Sequence, residues 1–245
     1  MSEKNFKNYL NVYEFDYTLP GTGEKIKFKP FTTYQMKKLL NYENENDIKI
    51  MSRVLDELIQ SNIISENFDI DEIYIRDRFS LLIEMRKKTK GELYKFQFDC
   101  PKCNSQILQS VDLDKLDVKQ KDSDIGVINV ADNVNIEISH IKRKDEKEAI
   151  EHIKDGLDES EREIEYNLNT LSSCIRSIET PDGKDGDLTF EDKRYIIDNS
   201  VQSVLDDIGE WFSDNWFGID FTFEMKCRNC DFKSKRQIPM NQLFS

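Results

Sequence analysis

Histidine is scarce in this chain. There are two in 245 residues, His140 and His152, and neither sits in a recognisable serine, cysteine or metal motif. Acyl transfer by a base-activated nucleophile therefore has no signature here. Glycine is sparse too, at nine residues. Gly21-Thr22-Gly23 lacks the third glycine and the following helix of a dinucleotide fingerprint, and no other segment reads as a phosphate loop. No apolar run approaches the roughly 20 residues that cross a bilayer. The opening Met1-Ser2-Glu3-Lys4-Asn5-Phe6 has neither the apolar core nor the cleavage site of a signal peptide. The expectation is a soluble protein made in a reducing cytoplasm, with no small-molecule substrate. Positive charge is also short: 35 Lys and Arg against 48 Asp and Glu give a net charge of -13. That argues against a general nucleic-acid coat protein, which needs a basic face to neutralise phosphates.

What the chain does have is a core and an unusual set of cysteines. Hydrophobic residues make up 38% of it, enough for one large domain or two small ones. Four of the five cysteines form two pairs, Cys100-Pro101-Lys102-Cys103 and Cys227-Arg228-Asn229-Cys230. Each pair follows an alternating strand, Tyr94–Phe98 before the first and Phe221–Met225 before the second. At one constant offset Tyr94, Phe96 and Phe98 match Phe221, Phe223 and Met225, while Val111 and Leu113 match Ile238 and Met240. The repeated unit is strand, knuckle, returning strand. Two such units can supply the four soft ligands of a tetrahedral metal ion, and zinc is the expected one. In a reducing compartment this spacing argues for a metal or redox site rather than disulfides. A thioredoxin-type role would place a pair at a helix N-terminus, and the residues after both pairs look extended. A catalytic zinc keeps an open position, which four thiolates would close. Cys174, the fifth, reads as a buried small residue in the periodic run Leu168, Leu171, Cys174, Ile175, Ile178.

The remaining pattern is mixed. Residues 9–31 read as a β-hairpin turning at Pro20–Gly23. Thr32 or Thr33 caps a helix to about Tyr42. A second helix spans 46–61, with Ile48, Met51, Val54, Leu55, Leu58 and Ile59 on one stripe. A third spans 71–89 and stops at Gly91. Beyond the first knuckle, Val127–Val130 and Val134–Ile138 form another hairpin, and 144–211 reads as three or four helices broken at Asp155-Gly156 and Thr180–Asp187. The segment Asp182–Asp187 is not a calcium loop, because aligning Gly186 with the invariant glycine puts Pro181 and Gly183 at ligand positions. Lys226, Arg228, Lys233, Lys235 and Arg236 surround a single acid, Asp231. They are the phosphate contacts if the chain is instead a zinc-ribbon nucleic-acid-binding or transcription factor. Trp211, Phe212, Trp216 and Phe217 crowd a helix-to-strand corner, either as core or as an anchor for a protein partner.

Gly23-Glu24-Lys25-Ile26-Lys27-Phe28-Lys29-Pro30-Phe31-Thr32-Thr33, running on to Leu39-Leu40-Asn41-Tyr42-Glu43, resembles a phage family. So do Asp77–Arg86, Thr89-Lys90-Gly91 and Cys100-Pro101-Lys102-Cys103. Over residues 23–113 the chain is similar to the T4-type baseplate proteins of contractile-tailed bacteriophages, the group that contains the baseplate hub assembly protein. The resemblance implies a structural or assembly role, non-enzymatic, with other tail and baseplate proteins as partners. It implies a place in the host cytoplasm during assembly or in the virion baseplate. It brings no catalytic residues.

The expected architecture is α+β. An N-terminal β-hairpin and helical cluster (residues 1–91) precede a split four-cysteine zinc ribbon (92–245). Its knuckles are 94–113 and 221–240, with a mostly helical insertion at 117–217. Cys100, Cys103, Cys227 and Cys230 are the expected ligands of a structural Zn2+.

Overall fold

The computed structural model describes residues 13–42, 47–239 and Leu243. The first residues of the expected hairpin, 9–12, and Met240, the expected match of Leu113, lie outside them.

The chain folds as α+β. Strands β1 (Phe15–Thr18) and β2 (Lys25–Phe28) pair antiparallel, Phe15 opposite Phe28. Helix α1 (Thr33–Leu40) opens on a capping box in which Thr32 and Gln35 each accept from the other's backbone N–H. Helix α2 (Ile48–Gln60) is capped by Asp47, and α3 spans Ile75–Lys90. Leu19, Ile26, Phe28, Leu58, Ile59, Leu81, Leu82 and Met85 form the core between these elements.

Helix α3 starts four residues later than its apolar pattern suggests. A single 3-10 turn occupies Ile70–Glu72. The backbone of the next residues bonds across the molecule instead: Ile75 N–H donates to the Ile141 carbonyl at 3.2 Å, and Arg143 N–H to the Ile73 carbonyl at 2.9 Å. Ile73 is buried here, so its apolar character belongs to a tertiary seam and not to a helix turn.

Next come β3 (Leu93–Asp99) and β4 (Gln106–Asp112), then the short β5 (Val118–Lys119). The following segment holds β6 (Gly126–Ala131), β7 (Val134–Ile138), α4 (Arg143–Glu151), α5 (Glu159–Ser172), β8 (Ile175–Thr180), β9 (Gly183–Asp185), α6 (Phe190–Asn199) and α7 (Gln202–Asp214). Strands β6-β7-β8-β9 form one antiparallel sheet in that order. Ile128, Ile136, Ile138, Ile175, Ile197, Val204 and Ile208 fill the space under it.

Four helices lie over 143–214, but strands β8 and β9 correct the expectation that 144–211 holds only helices broken at Asp155-Gly156 and Thr180–Asp187. The register explains the misreading. Ile136 faces Ile178 and Ile138 faces Ile175, so two residues of β7 span three of β8. This bulge inserts an extra residue in the strand and breaks its alternation. The apolar spacing of three that results imitates a helix. Cys174 is buried, as expected, but past the end of α5.

The chain closes with β10 (Gly218–Ile219), which pairs with β5, and the hairpin β11 (Thr222–Lys226) and β12 (Lys233–Gln237). Ile83 of α3 packs with Tyr94, Phe96, Leu113, Ile219 and Ile238. Both hairpins are thereby seated on α3.

Candidate metal centre

Two hairpins more than a hundred residues apart in sequence meet at their tips. Their inner faces alternate apolar residues, and Phe96 meets Phe223 edge to face at 5.2 Å between ring centroids. They share one register. Lys95 faces Ser110 as Thr222 faces Gln237, and Asp99 faces Gln106 as Lys226 faces Lys233. The turns match as well. Cys100 N–H donates to the Ser105 carbonyl and Cys227 N–H to the Phe232 carbonyl, both at 2.9 Å. Asn104 and Asp231 occupy equivalent places with φ of 57° and 53°. This is the left-handed region, which Asn and Asp tolerate better than other side chains with a Cβ. Each tight turn aims both of its sulfurs inward.

The result is one cluster. The Sγ atoms of Cys100, Cys103, Cys227 and Cys230 lie within 4.8 Å of one another. Cys100 to Cys230 and Cys103 to Cys227, the pairs across the two knuckles, are each 3.7 Å apart. An S–S bond is far shorter, about 2.0 Å, so the four are free thiols in contact. A tetrahedron of thiolates around an ion at the usual zinc–sulfur distance has edges of about 3.8 Å. The four residues fit such an ion.

Polar groups around the sulfurs complete the site. Ser105 Oγ lies 3.0 Å from Cys103 Sγ and 3.4 Å from Cys227 Sγ, so one hydroxyl bridges the knuckles. Asn229 donates its backbone N–H to Cys227 Sγ at 3.4 Å and its side-chain amide to Cys103 Sγ at 3.7 Å. The Ser105 hydrogen bond brings the Cys103 thiol down to about 6, and Ser105 also lowers that of Cys227. Cys230 accepts from the Phe232 N–H, which lowers it, but burial and its three thiol neighbours outweigh that and push it up to about 12. Four crowded sulfurs cannot all shed protons without a cation. Bound metal removes that conflict, because its ligands bind deprotonated.

The family model of the T4 bacteriophage base plate protein matches residues 11–244. The chain belongs to that family. The match runs well past the stretch over which the resemblance is visible by eye and takes in both knuckles of this base plate protein. No curated protein and no solved structure matches it. No helix among the described residues is long and apolar enough to cross a membrane.

The other expected residues of the base plate protein divide. Phe217 is 0% exposed and stands edge-on to Tyr74 and His140, so it serves the core and cannot face a partner. Trp211 and Phe212 are half-buried against the same His140 ring. Trp216 is also half-buried, with the Lys119 ammonium over its ring at 5.8 Å. It lines a groove of about 560 Å3 that runs past Phe212 and Phe221 to Ile238. Lys226, Arg228, Lys233, Lys235 and Arg236 are all exposed, and Lys226 pairs with Asp231 at 3.4 Å.

Two polar features were not legible beforehand. His140 is buried, with Nε2 2.9 Å from the Asn215 carbonyl, and burial lowers its pKa to about 4. Deep between α2, α3 and α4, Arg78 and Arg143 meet Asp56 and Glu146 at 2.8 to 3.5 Å. In sequence these charges look like any others on helix surfaces, and only the meeting of three helices makes them core.

Proposed function

We propose that this base plate protein is a non-enzymatic structural or assembly component of the tail baseplate or its hub. It assembles in the host cytoplasm and works through protein–protein contacts on a frame locked by zinc. The convergence of four sulfurs from two matched hairpins carries this reading. Such a shell suits a soft, tetrahedral ion without redox demands. Cys100, Cys103, Cys227 and Cys230 are its ligands, and Ser105 and Asn229 orient them. If the site resembles other structural zinc sites, coordination contributes on the order of 10 kcal/mol to folding. The frame divides into residues 1–91, the ribbon formed by 92–116 and 218–245, and the insertion 117–217. Trp216, with Phe212 beside it, is the proposed contact face.

Elemental analysis of the purified protein tests the metal. One zinc per chain is expected, with loss of metal and a lower Tm in both Cys100→Ser and Cys227→Ser. Equal zinc in wild type and both variants would reject the shared shell. Trp216→Ala should keep its zinc and its Tm while entering assembling baseplates less well. Unchanged incorporation would remove that residue from the contact face.

A further inference from the structure

Open sheet edges invite pairing with other chains, and proteins commonly guard them with charges, bulges or very short strands. Most of the described strands of this chain carry such guards. Strand β12 carries Lys233, Lys235 and Arg236. Strand β9, at one end of the four-stranded sheet, is three residues long and holds Lys184 and Asp185. At the other end of that sheet, β6 is different. Among the described strands longer than two residues, Gly126-Val127-Ile128-Asn129-Val130-Ala131 is the one without a charged side chain.

The outer side of β6 has no strand paired to it among the described residues. Its inward residue Ile128 is buried, while Val127 is 63% exposed and the preceding Ile125 is 54% exposed. Trp211 lies so close over Gly126 that a Cβ there would collide with its ring, which fixes the start of the strand against α7. A register shift between Asn129 and Ala131 bends the far end. The open, flat stretch is therefore Ile125–Asn129. It is apolar up to Asn129 and of the length an added strand occupies.

We infer that the β6 edge is a docking site for an extended apolar segment of another protein, flanked by lysine or arginine. Charge selects this occupant over a second copy. Asp132 follows β6 with no ion pair among the described residues, and Asp122 and Asp124 precede it, paired to Lys119 and Lys121; all three carboxylates are exposed. Two copies of β6 paired antiparallel about Ile128 would set Asp124 against Asp132 at both ends, and like charges directly opposite destabilise a pair. The surroundings agree, since residues 117–217 hold 26 of the 48 acidic residues and 12 of the 35 basic ones. Basic flanks on the incoming strand turn that repulsion into attraction and steer its approach. The main-chain ladder supplies affinity, and Val127 with Ile125 selects β-branched or aromatic side chains on the exposed face.

This site deepens the reading of the chain as a protein that holds other proteins, but it does not depend on the metal. The test uses the zinc-loaded protein and short peptides of alternating valine and threonine, ended by pairs of lysines or by pairs of glutamates. NMR titration should shift the amides of Ile125–Asn129 with the lysine-ended peptide. That peptide should bind roughly tenfold more tightly than the glutamate-ended one. Val127→Lys should abolish the shifts, while Val127→Thr should keep them, and neither exposed change should alter the Tm. Shifts elsewhere only, equal binding of the two peptides, or none by either would overturn the inference. So would a concentration-dependent dimer abolished by Val127→Lys, because β6 would then belong to a second copy. A protein that binds peptide at β6 yet holds no zinc would separate failure of the metal reading from failure of this one.

Discussion

Asp77 and His140 are single residues whose burial has opposite consequences for pH. Asp77 accepts from Gly21 N–H at 2.6 Å and Thr22 N–H at 3.1 Å, holding the β1–β2 turn against α3. Burial raises its pKa from 3.8 to about 6, although both N–H groups pull the other way. The folded state thus binds a proton more readily than the unfolded chain, and this carboxyl makes stability fall as pH rises from about 4 to 6. The change amounts to about 3 kcal/mol at about 1.4 kcal/mol per pKa unit. His140, lowered from 6.5 to about 4 by burial and by Arg76 and Lys121, does the reverse. Its folded form resists protonation, so stability is lost as pH falls from about 6.5 to 4. In denaturant unfolding, Asp77→Asn should gain stability relative to wild type as pH rises from 4 to 6. His140→Gln should lose it over the same range. Parallel curves for either variant would place that residue's titration outside the folding equilibrium.

Elements were legible where periodicity was clean. The stripe of α2, the threonine cap of α1 and the alternation of β3 and β11 all appear in the amino-acid order and in the fold. Legibility failed where a tertiary partner overrode a local pattern. The bulge in β8 disguised a strand, and the seam between Ile73 and Arg143 delayed α3. The site followed the same rule. Equal spacing made the four cysteines readable, whereas Ser105 and Asn229 could be found only once the knuckles faced each other. Phe217 could be core or anchor by sequence, and only the rings of Tyr74 and His140 packed against it decide for the core. The buried quartet of Arg78, Arg143, Asp56 and Glu146 was invisible for a related reason, because its charges are spread over three helices and only Arg143 and Glu146 are neighbours on one of them. Arg78 is 2% exposed and also donates to the Ser52 carbonyl at 2.6 Å. Removing one member leaves an unpaired buried charge, so Arg143→Ala should cost about 3–5 kcal/mol in chemical denaturation. A loss below about 1 kcal/mol, the value of a surface pair, would show that water reaches the cluster.

At the scale of the molecule, the ribbon and the insertion rest on separate cores, one against Ile83 of α3 and one under the four-stranded sheet. Removing the metal should act on them unequally. Amide hydrogen exchange after chelation should accelerate across β3, β4, β11 and β12 while β6–β8 stay protected. Uniform acceleration would mean one cooperative unit and would end the proposed division into domains. The order of synthesis adds a consequence. Cys100 and Cys103 leave the ribosome long before Cys227 and Cys230, and everything from Asn104 to Lys226 is made in between. Half a shell cannot hold the ion tetrahedrally, so a chain cut short anywhere in that interval never acquires its clasp. On the proposed metal reading, capture of the ion would certify that translation has passed the second knuckle, and only such chains would present the locked frame to a growing tail.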